Sequence, residues 1–495
     1  METLLEKLAS IFAYDASSPL IFSSGLFLFL FVAFLGGYCL LRRTTTARIL
    51  YIILFSLYFY YKSSGLYFVL LLVAATYDYM IGYSIYLSRS RKTRRWLVAA
   101  SVACNLALLG YFKYTNFLTE IANNLFGSGF LEFRNIFLPV GISFFVFQSM
   151  SYTIDIYRGR LRPLDRWTDY LFYLSFFPQL VAGPIVRASD FIPQIRRTPR
   201  VTREMLGGAI FLILTGLFKK AVVSDYIALN FVDRIFDEPL LYTGFECLMG
   251  LYGYALQIYC DFSGYSDMAI GLALAMGFRF PKNFDAPYRS ATITEFWRRW
   301  HISLSTWLRD YLYISLGGNR RGKARTYLNL LVTMLLGGLW HGAAIRFLLW
   351  GALHGTALAL HKMWLATVPG AKIAGRDMHP LTRAAGMLLT FHLVCLGWLV
   401  FRADSMQTAQ LLLNQIFVHF DAALIPQIVA GYRGVLLLIA CGYLLHLVPT
   451  RGDDWLRKRV TAASPAAQTA MIVGMIWLVM QVKSSAIQPF IYFQF

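Results

Sequence analysis

Imidazole is the side chain best suited to exchange a proton near neutral pH, so the eight histidines come first: 301, 341, 354, 361, 379, 392, 419 and 446. Two have unusual surroundings. His341 stands in LLGGLWHGAAI (335–345), near the end of a charge-free run with glycine on both sides. Ionisable residues inside a membrane are costly and often functional, and glycine beside one lets another chain or a ligand come close. His301 lies in EFWRRWHISLSTWLRDYLYI (295–314). There Trp297, Trp300, His301, Leu304, Trp307 and Leu308 recur at spacings of three and four, so they share the apolar face of a helix, with Arg298, Arg299 and Arg309 off it. A histidine in a span can also be a simple hydrogen-bonded link between helices, and His354, His361, His392 and His446 fit that reading. No carboxylate or third ligand stands at helical spacing from a histidine pair, so no metal centre is expected.

Other polar groups sit where they are expensive. YALQIYCDFSGYSDMAIG (254–271) places Gln257, Asp261, Ser263, Ser266 and Asp267 in one apolar stretch. They can line a polar tunnel or hold helices together by hydrogen bonds. SFFPQLVAGPIVR (175–187) has two prolines and a glycine in an apolar run. It cannot be a straight helix and reads as a re-entrant segment lining a cavity.

The elements that must position these groups are membrane helices. Of 495 residues, 57% are hydrophobic and 15% charged, against roughly a quarter charged in soluble domains. The 26 residues from Ala16 to Leu41 carry no charge, and about 20 apolar residues cross the hydrocarbon core. Similar stretches recur along the chain. The pattern predicts an all-α polytopic protein with about 10–12 spans plus re-entrant and surface helices. Tyr242–Phe278 is long enough for a tilted or broken helix. Met1–Ser10 carries Glu2, Glu6 and Lys7 rather than a basic leader, so the first stretch reads as a retained span and not a signal peptide.

A net charge of +20 suggests nucleic acid in a soluble protein, but here the basic residues cluster between apolar runs, at Arg42-Arg43, Arg89–Arg95, Arg187–Arg203, Arg320–Arg325 and Arg451–Arg459. That is the positive-inside pattern. It puts those loops in the cytoplasm and residues 119–136 outside, and it argues against nucleic acid as a partner. The six cysteines have neither metal spacing nor a disulfide rhythm. No soluble domain stands out: residues 1–495 read as one membrane-embedded domain. Residues 279–325 form a long, basic, aromatic cytoplasmic insertion, in which Thr292-Ile293-Thr294-Glu295 has the form of a capping box.

The sequence resembles the membrane-bound O-acyltransferases, and within them the bacterial polysaccharide O-acetyltransferase and teichoic acid D-alanyl transfer branch. The resemblance rests on GYFKYTNF (110–117), LPVGISFFVFQSMSYTIDIYRG (138–159), FFPQLVAGPIVR (176–187), ALQIYCDFSGYSDMAIG (255–271), NFDAPYRSATITEFWRRWHISLSTWLRDYLYISLGGNR (283–320) and LLGGLWHGA (335–343). These cover most of residues 20–360, the family core. The resemblance implies a helical fold around a tunnel through the membrane. His341, in Trp-His-Gly, would be catalytic, and His301 the second family position. Trp340, Trp297, Trp300, Asp261, Ser263 and Gln148 would line the tunnel and its substrate site, and Arg298 and Arg299 would meet the phosphates of the donor. The last six residues, 490–495, look like the Phe-x-Tyr-x-x-Phe motif of this branch, which makes Tyr492 an acyl carrier.

The expected enzyme is thus an acyltransferase of the bacterial inner membrane, surrounded by lipid and binding no cofactor. Its cytoplasmic co-substrate would be acetyl-CoA, or an acyl-carrier protein thioester. A secreted or membrane-anchored esterase-like acyltransferase would act on the outer side. The rival readings are a polysaccharide transporter or assembly scaffold that makes no covalent bond, and a direct transferase to a lipid alcohol.

Overall fold

The computed structural model describes residues 11–16, 18–368 and 379–482. Among them the regular elements are helices, with no strand. The C-terminal motif with Tyr492 lies outside the described residues. The chain divides into two compact units, one of residues up to Ile213 with Tyr265–Pro281, the other of Leu214–Gly264 with residues from Lys282 onward.

The first unit contains α1 (Gly25–Leu41), α2 (Thr45–Ser64), α3 (Phe68–Leu87), α4 (Arg91–Leu109), α5 (Thr115–Phe126), α6 (Ile142–Tyr157), α7 (Trp167–Ser175) and α8 (Ala188–Ile195). In α1, Ser24 caps the helix by accepting from the Phe27 N–H. Phe27, Phe31 and Phe34, three and four apart, turn inward and meet the ring of Phe177. On the other face Phe29 and Leu40 stand open, as lipid-facing residues must. A buried carboxylate on α3, Asp78, is tolerated because Ser101 and Asn105 of α4 donate to it at 2.6 and 2.7 Å and Ser149 of α6 also donates. As its prolines require, the segment after α7 is not a straight helix: a single turn at Phe177–Leu180 gives way to irregular chain that reaches α8. Its residues from Phe176 to Val186 are all buried. Gly183 is obligatory there, because a Cβ would strike the backbone of Pro178 and Gln179.

Two long helices follow. α9 (Arg203–Leu217) runs on through a π-helical turn, Phe218–Ser224. α10 (Gly244–Ala275) is unbroken over 32 residues, one of the two forms that its length allowed. In the second unit the π turn and α10 touch at Gly264, where a Cβ would lie 2.8 Å from the Gly216 carbonyl oxygen and 3.0 Å from the Lys220 nitrogen. That contact carries a buried ion cluster in which Lys220 pairs with Asp261 of α10 and, at 2.8 Å, with Asp225.

Further helices of the second unit include α11 (Ile293–Arg299), α12 (Ile302–Trp307), α13 (Lys323–His341), α14 (Ile345–Thr367), α15 (Pro380–Arg402), α16 (Met406–Val418), α17 (Arg433–Leu447) and α18 (Pro465–Val482). α13 and α14 form a hairpin with a glycine seam. A Cβ on Gly338 would strike the Phe347 carbonyl, one on Gly351 would come 3.0 Å from the Leu335 Cα, and one on Gly355 3.0 Å from the Leu331 Cα. Such small residues let membrane helices approach backbone to backbone.

Among the described residues, five helices are long and apolar enough to cross a membrane, or up to seven if two bent pairs each count as one span. α10, α13 and α14 are long enough but fall outside that set.

The tryptophan-rich segment departs from the expected single helix. Thr292 does cap α11, accepting from the Glu295 N–H at 3.1 Å. The Glu295 carboxylate reaches back to the Ala291 N–H. The helix then stops at Arg299, and His301 adopts a left-handed conformation, φ 40°, ψ 58°. The cause lies 18 residues upstream. The Asn283 carbonyl accepts from the Ile302 N–H at 2.8 Å, and its side chain accepts from the Ser303 N–H at 3.2 Å. Asn283 thus satisfies two of the amide donors that a helix start leaves open, and α12 begins afresh.

Candidate active site

His301 is fully buried. Its ring stands edge-on to Phe262 of α10, centroids 4.6 Å apart, and 6.1 Å from Trp340. Its Nδ1 lies 3.1 Å from Asn283 Oδ1. That Asn283 atom also accepts from the Ser303 N–H and, at 2.9 Å, from the Ser303 hydroxyl. A backbone N–H needs an acceptor, so the atom is the amide oxygen and His301 must carry its proton on Nδ1. Nε2 is then a lone-pair acceptor. It is sealed from solvent and bonded to no protein group among the described residues. His301 lies outside every candidate span, and burial pushes its pKa down to about 3, so the imidazole is neutral throughout the physiological range.

His341 is the last residue of α13, at its buried end. Its ring packs against Trp340 and Trp350, each with centroids 5.0 Å away, and Phe401, 5.4 Å away. Gly342 follows with extended backbone. A Cβ there would run into the Phe347 ring, which explains the glycine after the histidine. Both imidazoles therefore lie near the indole of Trp340, and their centroids are at most about 11 Å apart, the sum of their separations from it.

Trp300 is buried between Phe284, at 5.2 Å, and Trp398, at 4.9 Å. Trp297 packs on Trp350, at 5.6 Å, and His354, at 5.3 Å. Asp261 is engaged with Lys220, a residue whose part the sequence did not reveal. Ser263 is buried on the same helix with its hydroxyl bonded to no protein group among the described residues. Gln148 belongs to the other unit, on α6, where its side-chain amide is wholly buried and bonded to no protein group among the described residues.

The arginines divide. Arg298 is exposed. Arg299 is held by Glu295 at 2.9 Å, by the Asp285 carbonyl at 3.1 Å and by the Asp285 carboxylate at 3.6 Å, so its donors are largely spent inside the protein. Among the other histidines, His361 bonds Thr294, His392 bonds Tyr252, and His446 accepts from the Tyr288 N–H. Asn283 and Trp350 join the site without having been singled out beforehand, and His354, expected to be a hydrogen-bonded link between helices, has neither ring nitrogen bonded to a protein group among the described residues. The signal for Asn283 was a polar residue in an apolar, aromatic loop, but only the fold shows that it faces His301.

The arrangement provides two buried imidazoles on one indole, one with a fixed tautomer. It can hold a hydroxyl and take its proton away from water. A model of the membrane-bound O-acyltransferase family matches residues 166–393. The chain is 43% identical over 405 residues to the probable alginate O-acetylase of Pseudomonas aeruginosa, covering 80% of this chain and 75% of that protein. This chain belongs to the membrane-bound O-acyltransferase family. The family's acyltransferase activity makes it an enzyme, embedded in lipid through several helices. It is also 37% identical over 361 residues to the peptidoglycan O-acetyltransferase of Helicobacter pylori, covering 67% of each chain. To the teichoic acid D-alanyltransferase of Bacillus subtilis it is 27% identical over 283 residues, 54% of this chain and 69% of that one. The resemblance read from the motifs thus holds across the branch.

Proposed function

We propose that this O-acyltransferase sits in the bacterial inner membrane and takes an acyl group, most simply acetyl, from a cytoplasmic thioester, acetyl-CoA or an acyl-carrier thioester. It delivers the group for O-acylation of an extracytoplasmic polysaccharide or cell-wall glycan. The observation that carries the reading is the pair of buried imidazoles beside Trp340. The relatives named for alginate and peptidoglycan acetylation support the glycan as final acceptor.

The two histidines divide the work by their surroundings. A base as weak as His301 removes a proton poorly, but its Nε2 lone pair can accept a hydrogen bond and orient a hydroxyl. His341 then serves as general base. The hydroxyl oxygen attacks the thioester carbonyl carbon, its proton passes to His341, the C–S bond breaks, and the thiolate leaves as the thiol by taking that proton. Burial keeps water from the thioester.

The first acceptor is the phenol of Tyr492. Its pKa of about 10 requires a base at neutral pH. Phenolate leaves more easily than an alkoxide, so onward transfer to a sugar runs downhill. A secreted or anchored esterase-like protein completes that transfer. Arg298 attracts the donor's phosphates on the cytoplasmic face.

The test uses purified protein in lipid nanodiscs with isotopically labelled acetyl-CoA. Thiol release and a labelled C-terminal peptide are expected, and His341→Ala should cut release by about 10²–10⁴-fold. Full release by that variant removes His341 as base. An unlabelled terminal peptide, together with normal glycan acylation by Tyr492→Phe in cells, removes the tyrosine relay.

A further inference from the structure

His354 is one of the histidines that the reaction above leaves idle, and its surroundings do not suit an idle residue. It is completely buried on α14, yet neither ring nitrogen bonds a protein group among the described residues. Two neighbours share that condition: the indole nitrogens of Trp350 and Trp297 are sealed and bonded to no protein group. The three rings form one cluster, with His354 4.7 Å from Trp350 and 5.3 Å from Trp297, and the two indoles 5.6 Å apart. Buried polar atoms almost always have partners, and each one left without costs stability. Four such atoms in one cluster point to a ligand that completes them.

Two of them converge. The Cβ that Gly397 lacks would stand 2.8 Å from His354 Nε2 and 3.5 Å from Trp350 Nε1, so both nitrogens face the same bare stretch of α15. Trp350 also packs on His341, at 5.0 Å. The cluster is therefore one ring away from the base.

The chemistry of the atoms selects the ligand. Each indole N–H can only donate, and a neutral imidazole donates once and accepts once. Three donors against one acceptor fit an oxygen that carries partial negative charge. His301 cannot serve such an oxygen, since its one N–H is spent on Asn283. We propose that His354 and Trp350 hold the carbonyl oxygen of the acyl group beside His341 and stabilise the charge that develops on it during attack. The proposal rests on the reading of a thioester donor given above. His301 would then bind the hydroxyl and the His354 cluster the carbonyl, each one ring away from His341 through Trp340 and Trp350.

Two unreactive CoA thioethers test this, one with an acetonyl group that keeps the carbonyl, the other with a propyl group that lacks it. Wild-type protein should bind the acetonyl compound at least about tenfold more tightly. His354→Phe and Trp350→Phe should bring that ratio close to one and leave propyl binding unchanged. His354→Gln, which keeps an N–H, should retain part of the preference. Gly397→Ala, whose methyl would intrude on both nitrogens, should lose it. Thiol release from acetyl-CoA should fall about 10²–10³-fold in His354→Phe, the scale of one lost oxyanion donor. An unchanged ratio in folded His354→Phe and Trp350→Phe overturns the proposal, as does equal weakening of both thioethers, which would mean a structural role or a resident water. Wild-type protein that binds neither thioether overturns the donor reading, and this proposal with it.

Discussion

Replacing Asn283 by Asp asks whether His301 works as a neutral acceptor. The side chains are nearly isosteric, and a carboxylate can take the same bonds from His301 Nδ1 and Ser303. What changes is charge, 3.1 Å from the ring nitrogen. At an effective dielectric constant of about 20, unit charges some 4 Å apart attract by about 4 kcal/mol, or roughly three pKa units. That would return His301 from about 3 to about 6. A raised pKa lets the protonated form persist to higher pH, and in that form Nε2 becomes a donor. Activity that needs the lone pair is then complete well above about pH 6 and lost as pH falls through it, tenfold per unit in the acid limit. The assay is thiol release from acetyl-CoA between pH 5 and 9, each point normalised to the variant's maximum. The acid limb of Asn283→Asp should lie above that of the wild type. Superimposable profiles from a folded variant would refute the argument that His301 works as a neutral acceptor.

Three further outcomes follow from the geometry. Gly342→Ala forces a methyl into the Phe347 ring, so it should cost about 1–3 kcal/mol of stability and reduce turnover by displacing His341, read by thermal denaturation alongside thiol release. Lys220→Met leaves Asp261 and Asp225 without their cation in the interior. It should destabilise by about 3–5 kcal/mol, and adding Asp261→Asn should recover part of that; no recovery would mean the ion cluster is not what the lysine supports. Arg298→Ala should raise KM for acetyl-CoA with little change in kcat, whereas Arg299→Ala should mainly lower the melting temperature because Arg299 binds Glu295 and Asp285; equal KM effects would show that both meet the donor.

Much of this was legible before the fold was known. Charge-free runs gave away the membrane helices, because hydrocarbon leaves no alternative to an apolar face. Trp-His-Gly and the apolar surroundings of the tryptophan segment drew attention to both histidines, and both are buried in the fold. The break itself was not legible. It depends on Asn283, whose bonds to residues 302 and 303 exist only once the chain has folded back. His354 read only as a hydrogen-bonded link for a related reason: its local sequence resembles any histidine in a span, and the absence of a partner among the described residues is a property of the assembled core. The same holds for Arg299. Its sequence neighbours suggested a free basic pair, but its i−4 glutamate and the more distant Asp285 claim it.

The glycine seam between α13 and α14 has a practical consequence. Most soluble proteins keep their helices together by excluding water, a force that detergents are designed to weaken. A seam of backbone against backbone depends on close van der Waals contact instead, which is indifferent to whether lipid tails or detergent chains lie outside. The helix that ends in His341 is clamped by such a seam through Gly338, Gly351 and Gly355. Extraction from the bilayer should therefore disturb the loosely packed lipid-facing helices first and the α13–α14 hairpin last. α18, open along most of its length, belongs to the former group. A solubilised preparation that has lost part of its native lipid can still present an intact reaction centre, which is what makes the chemistry of this enzyme approachable outside the cell.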